Sequence, residues 1–244
     1  MNRKIACVTG SSRGIGKAVS ESFAAAGYDI VLNCRKDISA MEQVKKELEQ
    51  TYSIHCFPLV MDVSDSTAVS KGFQQVTSEF GEIDVLVNNA GISYFGLLSD
   101  MEVSQWQQVL SVNLSSAFYC ARQVIPSMVR KKSGRIINIS SIWGNCGASY
   151  EAAYSAAKGG LNTFTKALAK ELAPSNIPVN AISCGVIDTE MNAHLLEEEL
   201  DALIDEIPAC RMGTPQEVGQ LALLLSQAPT YLTGQIITMD GGLL

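Results

Sequence analysis

The stretch IACVTGSSRGIG, residues 5–16, decides the fold. Its first part, Ile5–Thr9, is apolar and β-branched, which predicts a buried strand. Gly10, Gly14 and Gly16 follow directly. Glycines here let the backbone turn tightly and approach a pyrophosphate, whose charge meets free N–H groups where a helix begins. The glycines alone are weak evidence, but the strand before them and the helix after them indicate a dinucleotide-binding loop.

The order of strand and then helix repeats along the rest of the chain. Ile15, Ala18, Val19 and Phe23 mark the apolar stripe of the first helix. This alternation predicts an α/β fold, a doubly wound parallel sheet of Rossmann type with about seven strands and helices on both faces, in a single domain at 1–244. The predicted strands are Ile5–Thr9, Asp29–Asn33, His55–Met61, Ile83–Val87, Arg135–Ile139, Val179–Ser183 and Gln235–Met239. The later helices are predicted at Ala40–Gln50, Thr67–Phe80, Val103–Val129, Ala153–Leu172 and Pro215–Ser226.

Composition and charge argue against several classes of partner. The net charge of −7 disfavours nucleic acid, which is bound by clustered Lys and Arg. No apolar stretch approaches the roughly 20 residues that cross a bilayer, so we expect no membrane segment. The seven scattered cysteines contain no C-x-x-C pair, which favours reduced thiols and a cytoplasmic location. His55 and His194 belong to no ligand cluster, so we expect no metal site.

The end of the second strand bears on the choice of cofactor. Sites that prefer NAD usually place a carboxylate there against the ribose 2′-hydroxyl, but this chain reads NCRK at residues 33–36. Arg35, together with Arg13, offers charge-assisted hydrogen bonds to a 2′-phosphate. NADP(H) is therefore the expected cofactor. The alternative is that these are solvated cations in a turn, with no ligand.

Polar or glycine residues also follow the other strands. Asp62 follows the third, Asn88–Gly91 the fourth, Ser140–Ser141 the fifth, and Gly185 the sixth. Simpler interpretations exist. The segment after the third strand can serve to start the next helix, with Ser64 or Asp65 as its cap, and the Asn and Gly residues can be ordinary turn residues. Because ligands of open α/β sheets bind at the carboxyl ends of the strands, one binding site explains all of these positions together.

Tyr154 and Lys158 lie four residues apart on a predicted helix, so their side chains share one face. A nearby cation stabilises a phenolate, which predicts that Lys158 lowers the pKa of Tyr154 and prepares it for proton transfer. Ser141 is placed to hydrogen-bond a substrate carbonyl. The pair alone is weak evidence, because a Tyr four residues before a Lys is a frequent spacing. Its chemistry, together with Ser141 and the dinucleotide-binding loop, favours carbonyl reduction with Tyr154 as the proton donor.

The segment at 186–212 interrupts the alternation of strands and helices. It carries Leu196, Leu200, Leu203 and Ile204 at helical spacing, after the end of a strand. Insertions in this position often form lids, so we predict a substrate lid there. The alternative is an amphipathic surface helix with no gating role.

With these motifs in order, the chain resembles the short-chain dehydrogenase/reductase family over essentially its whole length. The matching features are the Thr9–Gly16 loop, Asn-Asn-Ala-Gly at 88–91, Asn113, Ser141 and the Tyr154-x-x-x-Lys158 pair. The resemblance implies a catalytic set of Asn113, Ser141, Tyr154 and Lys158, in which the Lys also binds the nicotinamide ribose and the Asn holds a relay water. The residues expected to bind the cofactor are Gly10, Ser12, Arg13, Gly14, Ile15, Gly16, Arg35, Asp62, Val63, Asn89, Ala90, Gly91, Tyr154, Lys158, Ile187 and Thr189.

Within that family the chain is most similar to bacterial 3-oxoacyl-acyl-carrier-protein reductases, through YSAAKGG at 154–160 and VIDTEM at 186–191. The resemblance implies NADPH-dependent reduction of a 3-oxoacyl thioester linked to acyl carrier protein, in fatty acid biosynthesis, by a homotetramer that pairs the helices carrying Asn113 and Tyr154. Cys184 replaces the proline usual before Gly185, which predicts a less constrained loop.

An acidic carrier protein would need a basic surface. The predicted lid is instead acidic, with Glu197, Glu198, Glu199, Asp201, Asp205 and Glu206. The cations Arg130, Lys131, Lys132 and Arg135 either attract the carrier or complement a helix C-terminus. Two alternative functions stay open: reduction of another ketone, such as a steroid, a sugar or a modified protein side chain, and NADP(H) binding without catalysis.

Overall fold

The computed structural model describes residues 3–192 and 197–244. Its centre is one parallel sheet of seven strands in the order β3-β2-β1-β4-β5-β6-β7. The predicted α/β doubly wound fold in a single domain is confirmed. The strands are β1 Ile5–Val8, β2 Asp29–Cys34, β3 Cys56–Val60, β4 Val85–Asn88, β5 Arg135–Ser141, β6 Val179–Cys184 and β7 Ile236–Met239.

Helices cover both faces of the sheet because the strands bury both of their faces. Along β1, Ala6 and Val8 belong to one apolar cluster, whereas Ile5 and Cys7 belong to the other. The helices are α1 Gly14–Ala25, α2 Ile38–Tyr52, α3 Ser66–Glu79, α4 Val103–Leu110, α5 Ser116–Lys131, α6 Trp143–Cys146, α7 Ala152–Leu172, α8 Glu197–Glu206 and α9 Pro215–Gln227. Helices α1, α2 and α9 pack on the first cluster and α3, α5 and α7 on the second, which is the two-sided layering of an α/β fold.

The strand order reverses between β1 and β4, which are neighbours in the sheet although β2 and β3 lie between them in the chain. The loops after these two strands leave in opposite directions and open a crevice at the carboxyl edge of the sheet. The fold therefore directs the 9–16 loop and the segment after Asn88 to one place.

One predicted helix is wrong. The stretch Val103–Val129 was expected to be continuous, but α4 ends at Leu110 and a π-helical turn, Ser111–Ser115, separates it from α5. Within this turn the Asn113 side chain donates from Nδ2 to the carbonyl of Val109 at 2.9 Å. The side chain of Asn113 thereby takes the place of a regular backbone donor, and turns of this kind are frequent at functional sites.

In the described residues of the predicted extra stretch after β6, a 3₁₀ turn lies at Glu190–Asn192 and helix α8 follows at Glu197–Glu206. Leu203 of α8 faces the crevice, whereas the exposed side of α8 carries acidic residues. Leu196 and His194 lie outside the described residues. A lid function for 186–212 stays a prediction. Among the residues that the structure describes, no helix is long and apolar enough to span a bilayer.

Candidate active site

A cleft of about 1000 Å³ opens at the carboxyl edge of the sheet, at the reversal of strand order. Every residue that the sequence marks as catalytic or cofactor-binding lines this cleft, except Asn113, which lies behind its wall. The common location agrees with the prediction that the polar strand ends form one site. Its size and position suit a dinucleotide with a substrate beside it.

The glycine loop has the shape that close approach to a phosphate needs. Gly10 and Gly14 adopt φ values of +64° and +53°, which L side chains rarely adopt. A Cβ on Gly16 would lie 2.2 Å from the carbonyl oxygen of Gly10, so the first turn of α1 can pack against the loop only with glycine there. The free N–H groups at the start of α1 and this open backbone fit a pyrophosphate.

Three polar side chains hold the glycine loop in place. The Thr9 hydroxyl accepts from the backbone N–H groups of Asn89 and Ala90, at 3.0 and 3.1 Å. The Asn89 amide donates to the carbonyls of Thr9 and Gly10, at 2.9 and 3.0 Å. From the other side, Asn33 Oδ1 accepts from the Gly10 N–H at 3.1 Å. The loops after β1, β2 and β4 are therefore fixed relative to one another without a ligand.

The two cations predicted to meet a 2′-phosphate both line the cleft, and each contacts an acid. Arg35 lies 3.8 Å from Asp62, and Arg13 lies 3.0 Å from Glu190. These pairs are largely exposed, so they contribute little to stability and can exchange for a bound anion.

Of the two residues predicted to cap the helix after β3, Asp65 is the cap, because its side chain accepts from the Thr67 and Ala68 N–H groups.

Asp62 is occupied by its own turn. Its Oδ1 accepts from both the N–H and the hydroxyl of Ser64, at 2.9 and 2.6 Å. Burial raises the pKa of Asp62, but these hydrogen bonds and the charge of Arg35 more than offset it and hold the pKa below its usual value. A carboxylate so fixed can accept a hydrogen bond from an adenine amino group.

Tyr154, Lys158 and Ser141 meet on one wall of the cleft. Tyr154 and Lys158 lie one turn apart on α7, and the Lys158 Nζ is 5.5 Å from the centre of the Tyr154 ring. The Ser141 hydroxyl, at the end of β5, lines the same cleft and lies near enough to the Tyr154 phenol to lower its pKa. Lys158 Nζ donates to the carbonyl of Ile139 at 2.8 Å, so the ammonium is anchored to β5.

The pKa values at this wall differ from expectation. Burial raises the pKa of Tyr154 above its ordinary value, the negative charge of Glu151 adds to this effect, and the nearby Ser141 hydroxyl opposes it. Burial also lowers the pKa of Lys158 to about 8. The predicted lowering of the Tyr154 pKa by Lys158 is therefore wrong for the chain on its own, because burial outweighs the attraction of an ammonium that contacts Ile139.

Asn113 supports this wall from inside the protein. It is 2% exposed, its Nδ2 donates to the carbonyl of Ile92 at 2.8 Å, and its Oδ1 accepts from the Ile92 N–H at 3.2 Å. A Cβ on Gly91 would lie 2.8 Å from Asn113 Oδ1 and 3.7 Å from Lys158 Nζ. Gly91 thus leaves open the space between the amide and the ammonium, where the resemblance places a relay water.

Several cleft residues were missed by the sequence analysis. Glu151 and Ser93 contact each other through a 2.6 Å hydrogen bond, and Trp143 and Phe95 add aromatic surface. The spacing held a signal for Glu151, because it precedes Tyr154 by about one helical turn. Ser93 follows the Asn-Asn-Ala-Gly segment but matches no motif, so only the tertiary structure brings it to Glu151.

The basic cluster expected to face a carrier protein lies at the other edge of the sheet. Arg135 begins β5, whose far end, Ser141, reaches the cleft. Arg130 pairs with Glu82, and Lys131 lies 2.9 Å from Asp84. These contacts favour the interpretation that the cations complete the C-terminal end of α5.

No group of three or more His, Cys, Asp or Glu side chains suited to a metal ion occurs within residues 3–192 and 197–244. His55 lies just before β3, where its N–H donates to Asp29 at 2.9 Å, far along the chain from the glycine loop.

Comparisons with known proteins agree with this geometry. A family model described as short chain dehydrogenase matches residues 4–200. The chain is 40% identical to an uncharacterized oxidoreductase of Bacillus subtilis, YmfI, over 98% of both chains. It is 38% identical to the 3-oxoacyl-[acyl-carrier-protein] reductase FabG of Aquifex aeolicus, over 98% of this chain and 97% of the relative. Among solved structures, a provisionally assigned gluconate dehydrogenase from Agrobacterium tumefaciens is similar, with a TM-score of 0.93, 35% identity, and coverage of 98% of this chain and 95% of the other.

Proposed function

This chain belongs to the short-chain dehydrogenase family, and from that premise we propose that it is an NADPH-dependent reductase that converts a ketone to a secondary alcohol. The observation that carries the proposal is the wall of the cleft where the Tyr154 phenol meets the Ser141 hydroxyl one helical turn from Lys158. In the overall reaction, a ketone, NADPH and a proton give the secondary alcohol and NADP⁺. The bound nicotinamide supplies the hydride.

The residues of the chain then have distinct tasks. Ser141 hydrogen-bonds the carbonyl oxygen and orients it, and Tyr154 gives its phenolic proton to that oxygen as the alcohol forms. Burial keeps Tyr154 protonated at neutral pH, which is the state that a proton donor requires. Lys158 stabilises the resulting phenolate. Asn113, which lies behind Gly91, holds the relay water through which a proton returns to Tyr154.

The test of the proton-donor role is replacement of Tyr154 by Phe. We expect loss of ketone reduction by about 10²-fold or more, with NADPH affinity nearly unchanged. A variant that reduces ketones at the original rate would remove the role of Tyr154. A wild-type protein that binds NADPH but reduces no ketone would favour the alternative of a binding protein without catalysis.

The cofactor proposal depends on Arg35, which directly follows β2, where sites that prefer NAD usually have a carboxylate. The next carboxylate, Asp37, accepts from the Ala40 N–H and caps α2. Replacing Arg35 by Ala should weaken NADPH binding about tenfold or more and leave NADH binding nearly unchanged, since only NADPH carries the 2′-phosphate. Lys46→Ala is the control, because Lys46 is an exposed cation on α2 that does not line the cleft. Tighter binding of NADH than of NADPH by the wild-type protein would refute this proposal.

We propose a 3-oxoacyl thioester as the substrate, on the basis of relatives named as 3-oxoacyl-[acyl-carrier-protein] reductases. Phe95, Met191 and Leu203 line the cleft and offer apolar surface to an acyl chain. NADPH oxidation with acetoacetyl thioesters tests the assignment. Efficient reduction of a steroid or sugar ketone, with no turnover of the thioester, would replace it by the alternative substrate class.

We also propose a cytoplasmic homotetramer, as the resemblance implies. On α5, Phe118 and Val129 are exposed apolar side chains on a helix expected to pair with its copy. Light scattering coupled to size-exclusion chromatography should give four times the chain mass of 26.2 kDa. A monomeric mass would refute this proposal.

A further inference from the structure

Glu151 lines the cleft close to Tyr154 and, among the residues that the structure describes, forms no ion pair. It directly precedes α7 and lies three positions before Tyr154. Its Oε1 accepts from the Ser93 hydroxyl at 2.6 Å, so the carboxylate joins the wall formed by α7 to the segment that follows Gly91. Both residues line the cleft. The carboxylate is therefore held at the cleft surface.

The electrostatic surroundings of Glu151 limit which ligand can bind beside it. Within the part of the chain that the structure describes, Glu151 forms no ion pair, and its Oε2 accepts no hydrogen bond. Its charge reaches the catalytic wall, because it contributes to raising the pKa of Tyr154. Two conditions therefore favour a ligand group that lies between Glu151 and Tyr154. The group should donate a hydrogen bond to the carboxylate, and it should carry no negative charge.

We propose that Glu151 determines substrate specificity by accepting a hydrogen bond from an O–H or N–H donor of a neutral substrate and by repelling substrates that carry a carboxylate near the ketone. The inference rests on the proposed ketone reduction and names the class of ketone. A thioester with an amide N–H in its thiol portion fits both conditions, whereas a free 3-oxo acid fits neither. Ser93 is the positioning residue, because it fixes the carboxylate through Oε1.

Three small ketones separate the two effects. Acetoacetyl-N-acetylcysteamine is neutral and has an amide donor, ethyl acetoacetate is neutral and has no donor, and acetoacetate is an anion. We expect the wild-type protein to prefer them in that order by kcat/KM. Glu151→Gln should raise kcat/KM for acetoacetate about tenfold relative to that for ethyl acetoacetate, because the amide keeps the shape and removes the charge.

Ser93→Ala should move the same ratio in the same direction by a smaller factor of about three, since it frees the carboxylate without removing it. The control is Glu171→Gln, an exposed glutamate at the other end of α7 that does not line the cleft. It should leave all three values unchanged.

Calorimetric titration of the NADP⁺-saturated protein with the same three compounds measures the preference without turnover. A ratio of acetoacetate to ethyl acetoacetate that is equal in wild type and Glu151→Gln, in turnover or in binding, would overturn the inference, as would failure of all three to bind. A ratio that changes in binding while no compound is reduced would support the inference and refute the proposed reductase activity instead.

Discussion

Lys158 illustrates how one buried side chain can link catalysis to stability. Lys158 is 3% exposed, and its ammonium donates a hydrogen bond to the carbonyl of Ile139. Burial lowers its pKa to about 8. Near neutral pH the folded chain therefore holds a charge that is costly to bury and that the proposed mechanism requires beside Tyr154.

The first prediction follows from this cost. Between the folded pKa of about 8 and the ordinary value of 10.5, the unfolded chain binds a proton that the folded chain does not, so this group makes stability rise with pH in that window. Below pH 8 Lys158 is protonated in both the folded and the unfolded chain, so the full free-energy cost of burying its charge is present. Relative to Lys158→Met, the wild type should gain on the order of 2 kcal/mol of unfolding free energy between pH 7.5 and 9.5.

Urea unfolding at several pH values measures this difference. The buried thiols act in the opposite direction, because burial raises the pKa values of Cys7, Cys56 and Cys184 to about 12. They are present in both proteins, so their effect largely cancels in the comparison. Stability curves that run parallel from pH 7.5 to 9.5 would show that Lys158 is not destabilised by burial.

A second prediction concerns the open space beside Asn113. Gly91→Ala would put a methyl group 2.8 Å from Asn113 Oδ1. The Asn113 amide cannot move away easily, because it is held by hydrogen bonds to the carbonyls of Ile92 and Val109. We expect kcat to fall about tenfold or more, since small displacements of catalytic groups are costly, with a smaller change in NADPH affinity. Steady-state kinetics and equilibrium titration measure the two effects. An unchanged kcat would show that this space has no part in proton transfer.

For individual residues, the sequence predicted which side chains lie together in the site but not how burial shifts their pKa values. Tyr154, Lys158 and Ser141 could be identified because helical spacing and strand ends are local features. The direction of the Tyr154 pKa could not, because it depends on burial that only the packed chain creates. Glu151 and Ser93 were missed since their contact joins segments that are 58 residues apart.

Among the elements, α6 and α7 show how closely the helices must pack to form the site. Helix α6 follows Ser141, and α7 carries Tyr154 and Lys158. A Cβ on Gly144 of α6 would lie 2.7 Å from the carbonyl carbon of Lys158, which is backbone and cannot rotate away. The distance between Ser141 and Tyr154 is therefore set in part by a glycine on a four-residue helix.

Gly144→Ala is the third prediction. The methyl group should push α6 from α7, with a loss of about 1–3 kcal/mol in unfolding free energy and a clear fall in kcat. The matched control is Gly159→Ala, on the opposite side of the same contact, where a Cβ would lie 3.3 Å from the Gly144 carbonyl oxygen and needs only a small adjustment. Chemical unfolding and ketone reduction measure both. Equal effects of the two substitutions would contradict this account.

The break between α4 and α5 is a feature of the secondary structure that the sequence did not predict. Periodicity and helix propensity continue from Val103 into α5, so the sequence favours one helix. What changes the hydrogen-bond pattern is the Asn113 side chain, which bonds to Val109 in its own helix and to Ile92 across the site. The second contact is tertiary, and no local pattern predicts it.

For the whole molecule, the fold was predictable because the inner strands β1, β4 and β6 are buried on both faces and each crossover contains a helix. Those two facts require parallel strands with layers on both sides, and the glycine loop after β1 identifies the edge where a ligand binds. The strand order follows from packing that the sequence does not show directly. The path of the predicted lid likewise depends on tertiary contacts, of which the cleft contact of Leu203 is one.

The last prediction concerns thiol reactivity across the whole molecule. All seven cysteines are free; Cys146 and Cys210 are exposed, and the other five are buried. Burial raises the pKa of Cys184, which lines the cleft in place of the usual proline, to about 12, so it stays a protonated thiol at pH 8. Because the thiolate is the reactive form, we expect a disulfide reagent to modify two thiols rapidly in the native protein and all seven in denaturant.

Cys146→Ser combined with Cys210→Ser is the matched control, and it should abolish the rapid phase while leaving NADPH-dependent activity intact, since neither residue lines the cleft. Five thiols should then appear only on unfolding. A third rapid thiol in the native wild type, protected by NADPH, would place Cys184 in contact with solvent and show that the loop at Gly185 opens more than this structure indicates.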